Sequence, residues 1–293
     1  MTARARRSCL TVPGSSERML AKARTLPADE IVVDLEDAVP PAEKTAATRR
    51  RAADALLAGE WSAPTLAVRV NAVGTPWFVV DIDELVRAAG ETIDCLVLPK
   101  VESPDDVAAA ADLLDRHGVS IGLEAQIESA RGLLEVERIA ASSARLEALV
   151  FGPGDYAASL GIPQLEIGAI DPAYPGDQWH YARSRIAVAA HAHGLDAIDG
   201  PYAALRDRDG LRESARRARL LGFTGKWAIH PDQIASCNEA FAPSTEELER
   251  AERLLAALRE AEARGEGAAA FDGTMIDEAS RKMAEALVAR GAR

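Results

Sequence analysis

The chain has 293 residues, 48% hydrophobic and 27% charged, an ordinary balance for a globular protein with a core of useful size. Its net charge of −12 argues against a general nucleic-acid or anionic-membrane surface, while leaving room for a small anionic ligand held by local cations. The three cysteines, Cys9, Cys95 and Cys237, form no CxxC pair, which predicts a reducing, cytoplasmic setting and no structural zinc.

The opening segment "MTARARRSCL" is basic but has no apolar stretch behind it, so no signal peptide is expected. No apolar run approaches the roughly 18 residues of a membrane helix. From there short β-branched runs alternate with Ala-, Leu-, Arg- and Glu-rich stretches of helical spacing. The expected strands are "SCLTVP", "EIVVDLE", "TLAVRVN", "CLVLPKV", "SIGLEAQIE", "LEALVFG", "DAIDGP" and "GKWAIHP". Eight β-then-α units predict a (β/α)8 barrel over residues 1–240; an open, doubly wound sheet has the same alternation. Residues 161–179, long and rich in Pro and Gly, read as a functional loop. Beyond the barrel, residues 241–293 read as an extension: a charged helix (244–264), a flexible Gly-rich joint "RGEGAAAFDGTMID" and a final helix (278–290).

Barrel chemistry belongs at the C-terminal ends of the strands. Period 2 puts Asp34 and Glu36 on one face, Arg69 and Asn71 on one face, and Glu124, Gln126 and Glu128 on one face, with Lys100 ending its strand. Charges of both signs at one end suit either a site or a layer of mutual ion pairs. Glu128 ends the fifth strand, and Asp155 follows the sixth in "FGPGD", where Gly152 and Gly154 let the backbone approach a ligand. Two carboxylates on adjacent strands, without a His or Cys cluster, suit a hard divalent cation such as Mg²⁺. His230 reads equally as a ligand contact or a satisfied core histidine. No P-loop, dinucleotide fingerprint or G-x-S-x-G is present.

The segments "LTVPGSSERMLAKA", "VVDLEDAV", "VRVN", "LPKVES", "VFGPGDYAASLG" and "GKWAIHPDQI" resemble the citrate lyase β-subunit-like group of the HpcH/HpaI aldolase superfamily. "YPGDQWHYARSRI", "AIDGPYA" and "FDGTMID" look most like its L-malyl-CoA/β-methylmalyl-CoA lyases. The resemblance implies a TIM barrel and a carbon–carbon lyase acting on a CoA thioester and a small 2-oxo acid. It also implies Mg²⁺ or Mn²⁺ and a homotrimer or homohexamer. Carried over by motif, Glu128 and Asp155 would be metal ligands, and Glu36 and Asp37 would hold metal-bound water. Arg69 would contact the reacting oxygens. Arg18 and Lys22 would meet CoA, with Gly154, Ile229 and His230 against the substrate. Asp277 would be the acid/base, delivered by the C-terminal extension as a lid on a neighbouring subunit. Relatives acting on citramalyl-CoA or citryl thioesters, and malyl-CoA thioesterases, share most of these motifs.

Overall fold

The structure, a computed structural model, describes residues 4–291. Eight parallel strands follow one another around a closed barrel: β1 Ser8–Pro13, β2 Glu30–Asp34, β3 Thr65–Arg69, β4 Cys95–Leu98, β5 Gly122–Ile127, β6 Leu146–Phe151, β7 Asp196–Asp199 and β8 Gly225–Ala228. Pairing of β8 with β1 (Cys9 opposite Trp227) closes the ring and excludes the open sheet.

The strands are buried on both faces, so they read as near-continuous apolar runs. Side chains alternate between two cores. Ile31, Val33, Val68, Leu96, Leu123 and Leu149 point outward to the helices, while Cys9, Val32, Ala67, Val97, Val150 and Trp227 fill the barrel. Helix ends are written locally. Ser103 and Asp106 form a capping box on helix Pro104–His117, which Gly118 ends at φ 67°.

The 161–179 segment is free of helix and strand. It is nonetheless ordered around one carbonyl: Ala169 O accepts from Gln164 Nε2 (2.8 Å), Gln178 Nε2 (3.2 Å) and Trp179 Nε1 (2.8 Å). Trp179 is buried edge-on against Phe151 of β6, which ties the loop to the barrel.

Contacts divide the chain into Met1–Phe241 and Ala242–Arg293. In the second unit, helix Thr245–Ala263 opens with a Ser244/Glu247 capping box, and helix Glu278–Gly291 follows. Between them the expected flexible joint is a hairpin instead, β9 Ala269–Phe271 against β10 Thr274–Ile276. Asp272 (φ 47°) and Gly273 (φ 76°) supply the two positive-φ positions of a tight two-residue turn.

Candidate active site

At the C-terminal mouth of the barrel a cavity of about 480 Å³ is lined by Asp37, Arg69, Gln126, Glu128, Asp155 and Trp227, among others. Strand register builds it. Asp34 and Arg69 are opposite one another on β2 and β3, and the guanidinium grips the carboxylate through Nε (2.8 Å) and a second nitrogen (2.6 Å). The same guanidinium lies 5.6 Å from the Trp227 ring centroid, and its remaining nitrogen reaches Gln126 Oε1 (3.4 Å), Glu36 (3.5 Å) and Asp37 (3.7 Å). Arg69 is therefore gripped on one edge, while the nitrogen of its other edge makes only longer contacts and the residue lines the cavity. Its neighbour Asn71 is held by Asp81 (2.7 Å) and Leu35 O, and accepts from Lys44.

Glu128 stands just past the end of β5, and Asp155 lies in the first turn of helix Pro153–Leu160, where a carboxylate suits the helix dipole. A Cβ at Gly152 would run into the Glu128 side chain, so glycine is required there by close approach. Glu128 Oε1 accepts from the backbone N–H of Lys100 (2.7 Å). Lys100 has φ 54°, a left-handed conformation costing a non-glycine residue about 1–2 kcal/mol. Its ammonium contacts Glu36 closely, with Asp37 at 3.4 Å and Asp155 at 3.7 Å.

Burial, reinforced by the charge of Asp155, pushes the Glu128 carboxyl up to about 7. Burial also raises Glu36, against Arg69 and Lys100, which favour its ionised form. At Asp37 burial acts upward too, but the Glu36 hydrogen bond, Arg69 and Lys100 outweigh it and hold the carboxyl below its usual range. Burial works against the charge of Arg69, and Asp34 more than compensates. Lys100 is likewise held protonated, its burial offset by Glu36. With Asp34 engaged by Arg69, the carboxylates Glu36, Asp37, Glu128 and Asp155 face one ammonium. That excess of negative charge, carried by hard oxygens, fits a divalent cation held by Glu128 and Asp155, which would relieve the strain on both. Among the described residues no group of three or more His, Cys, Asp or Glu side chains forms a complete cage. A two-carboxylate site instead leaves positions for water and substrate, as Mg²⁺ prefers.

A model of the HpcH/HpaI aldolase/citrate lyase family matches residues 7–231, which span β1 to β8 and the mouth just described. The chain belongs to that family. It is 39% identical to the L-malyl-CoA/β-methylmalyl-CoA lyase of Cereibacter sphaeroides, covering 98% of this chain and 94% of that one. A (3S)-malyl-CoA thioesterase of Cereibacter sphaeroides is 38% identical, covering 92% and 89%. The CitE protein of Mycobacterium tuberculosis, solved with magnesium, acetoacetate and coenzyme A, superposes with a TM-score of 0.81 at 32% identity, covering 98% of each chain.

Within this family member, the residues expected from sequence fall into three groups. Glu36, Asp37, Arg69, Glu128 and Asp155 converge at the mouth, and Gly154 and Ile229 line its cavity. Arg18 and Lys22 are exposed on helix Glu17–Ala23 and do not line that cavity. A second cavity, of about 510 Å³, lies beside this helix and includes Arg24, Arg50 and Arg51. His230 serves the backbone, its Nδ1 accepting from Asp232 N (3.2 Å). Asp277 is exposed and caps helix Glu278–Gly291, accepting from Ala279 N (2.9 Å) and Ser280 N (3.2 Å). Sequence reasoning placed Lys100 among the strand-end charges but not beside Glu36, Asp37 and Asp155, which its ammonium meets. Its positive φ, which ties it to Glu128, leaves no mark in the residue type.

Proposed function

We propose that the protein is a divalent-metal-dependent carbon–carbon lyase that reversibly cleaves a 3-hydroxyacyl-CoA, L-malyl-CoA or β-methylmalyl-CoA, to acetyl- or propionyl-CoA and glyoxylate. The observation that carries this reading is the buried Glu128 beside Asp155, with Arg69 lining the same cavity. The similarity to named lyases over nearly the whole chain supports it.

Cleavage removes the hydroxyl proton, and the electron pair of the breaking bond moves onto the thioester as an enolate. A proton returned to carbon completes the acyl-CoA. Mg²⁺ held by Glu128 and Asp155 would polarise the oxygens of the glyoxylate half, and Mn²⁺ suits the same ligands. Arg69, preorganised by Asp34 and Trp227, stabilises the enolate oxygen; such a donor is typically worth roughly 10²–10³ in rate. Asp277 moves the proton at carbon, as base in condensation and as acid in cleavage. In this reading the C-terminal unit of one subunit closes over the barrel of the next in a homotrimer or homohexamer, which excludes water from the enolate. Arg18 and Lys22 meet the CoA phosphates, and Ile229 and His230 border the acyl chain. The free thiols suit a cytoplasmic location.

The test is incubation of the full chain and Mg²⁺ with L-malyl-CoA, β-methylmalyl-CoA, citramalyl-CoA and citryl-CoA, read by product mass. Glyoxylate with acetyl- or propionyl-CoA is expected. Malate with free CoA would replace the lyase by the thioesterase reading that the 38%-identical relative favours. The shared-site arrangement has its own test. Glu128→Ala and Asp277→Asn subunits, each nearly inactive, are unfolded and reassembled together in equal amounts. A barrel and a neighbour's tail are both intact in about a quarter of randomly assembled sites, so about a quarter of the activity should return. No recovery in confirmed mixed oligomers would reject an Asp277 acting between subunits.

A further inference from the structure

Lys100 reaches both proposed metal ligands, with different parts of itself. Its backbone N–H donates to Glu128 Oε1 at 2.7 Å, and its ammonium lies 3.7 Å from Asp155 Oδ2. The same ammonium binds Glu36 and Asp37. Among the described residues the other non-glycine positions with positive φ, Glu60 and Asp272, are exposed and each neighbours a positive-φ glycine, Glu60 just past a helix end and Asp272 in the hairpin turn. Lys100 is instead in the strand-end loop after β4, between Pro99 and Val101, whose N–H bonds to Gln126 O of β5 (3.1 Å). The turned backbone is what lets one residue donate to Glu128 and also carry its charge back across the mouth to the β2 loop.

We propose that Lys100 is a built-in counter-cation of the mouth: its ammonium holds the Glu36, Asp37 and Asp155 carboxylates together when no divalent ion is bound, and competes with that ion for them. The proposal rests on the metal site argued above. A unit positive charge this close to Asp155 repels a second cation and is only partly screened at a half-buried position. The consequence is a divalent ion held less tightly than the carboxylates alone would hold it, and a mouth that keeps its shape when the ion departs. Lys100 is on this view a positioning residue, acting through Asp155 and Glu36 and not on the reacting atoms.

The test is calorimetric titration of the chelator-stripped full-length protein with MgCl₂ and MnCl₂, together with its melting temperature in chelator. Lys100→Met keeps the length of the side chain and removes its charge. Lys100→Gly removes the side chain, suits the positive φ and keeps the N–H that serves Glu128. Both should bind the metal about tenfold or more tightly than the wild type, and in chelator Lys100→Met should melt lower. Lys100→Arg should bind within about threefold of the wild type. Unchanged or weaker metal affinity in both neutral variants would overturn the proposal. Wild-type protein that binds neither ion would overturn the metal site, and the proposal with it. A Lys100→Gly that tightens while Lys100→Met folds poorly would still support it, because the charge is absent from both.

Discussion

The two ends of the barrel carry the same unusual composition and handle it differently. At the mouth, Asp34, Glu36, Asp37, Glu128 and Asp155 gather around Arg69 and Lys100. At the floor, the buried Arg6 bonds Glu124 (2.8 Å), Glu30 (3.1 Å), Glu147 (2.6 Å) and Asp196 (3.1 Å), and Arg4 joins Glu147 (3.0 Å) to Asp94 (2.7 Å). Both ends hold more carboxylates than cations. The floor is closed at its centre: Glu30 and Glu124 are fully buried, and among the described residues Oε1 of Glu30 and Oε2 of Glu124 find no donor. Burial and their mutual repulsion raise the Glu30 carboxyl well above its usual range, and burial raises Glu124. Arg6, together with a proton that the raised Glu30 and Glu124 carboxyls favour, offsets the negative charge at that end. The mouth opens to a cavity and can take its missing positive charge from solution. An acidic cluster in a barrel is therefore a site or a plug according to access, not composition.

The comparison predicts the largest effect at the mouth. Glu128→Gln and Asp155→Asn remove the charge proposed to hold a divalent cation. Turnover should fall by roughly 10³, with melting temperature in chelator unchanged or higher because crowded charge has been removed. Near-normal activity of either variant, or of the wild type in excess chelator, would place the mouth in the same class as the floor.

Arg6→Met makes the opposite prediction. It leaves the fully buried Glu30 and Glu124 without their cation, while the partly buried Glu147 keeps Arg4 and the partly buried Asp196 meets solvent. Removing one partner of a buried ion network typically costs about 3–5 kcal/mol. The urea midpoint should fall accordingly, while activity per folded molecule stays close to wild type. A stable Arg6→Met protein would mean that the floor carboxylates are already neutral without the guanidinium.

These two ends were unequally legible in the sequence. The eight strands and the cavity-facing Glu128, Arg69 and Asp37 followed from apolar runs, period 2 and family motifs, because strand ends in a barrel all open to one place. The floor was missed, since period 2 put Glu124 on one face with Gln126 and Glu128 but could not say that about two residues of rise each carry that face from floor to mouth. Nor could the basic opening segment reveal that Arg6 turns inward under the barrel. The hairpin in the C-terminal unit was hidden by its glycines, although "DG" between short apolar runs is a hairpin signal. Backbone torsion, as at Lys100, has no sequence signature for a residue that rarely adopts it.

Arg69 tests how much the mouth depends on geometry and not charge alone. Arg69→Lys keeps the positive charge but cannot both grip Asp34 with two nitrogens and direct a third into the cavity. Turnover should drop roughly 10²-fold, with a smaller change in KM for the thioester. Wild-type turnover would reduce Arg69 to a structural partner of Asp34, like the ion pairs of the floor.

The smallest and most diagnostic change is Glu30→Gln at the floor. The carboxyl's ordinary value is 4.5, and in the folded protein burial raises it well above that. Below pH 4.5 folded and unfolded chains are both protonated there, and the stabilisation from the retained proton is fully present. As pH rises, the unfolded chain releases its proton while the folded one keeps it, so wild-type stability declines until the folded group also titrates. Glutamine mimics the protonated form at every pH, and its amide can donate to the unpartnered Oε2 of Glu124. The variant should therefore match the wild type near pH 4.5 and exceed it at pH 8 by about 1 kcal/mol or more, with a flatter pH dependence of the urea midpoint. If Glu30→Gln is instead less stable at pH 8 and keeps the wild-type slope, then Glu30 is ionised against Arg6, and the floor balances its charge by ion pairing and not by a proton.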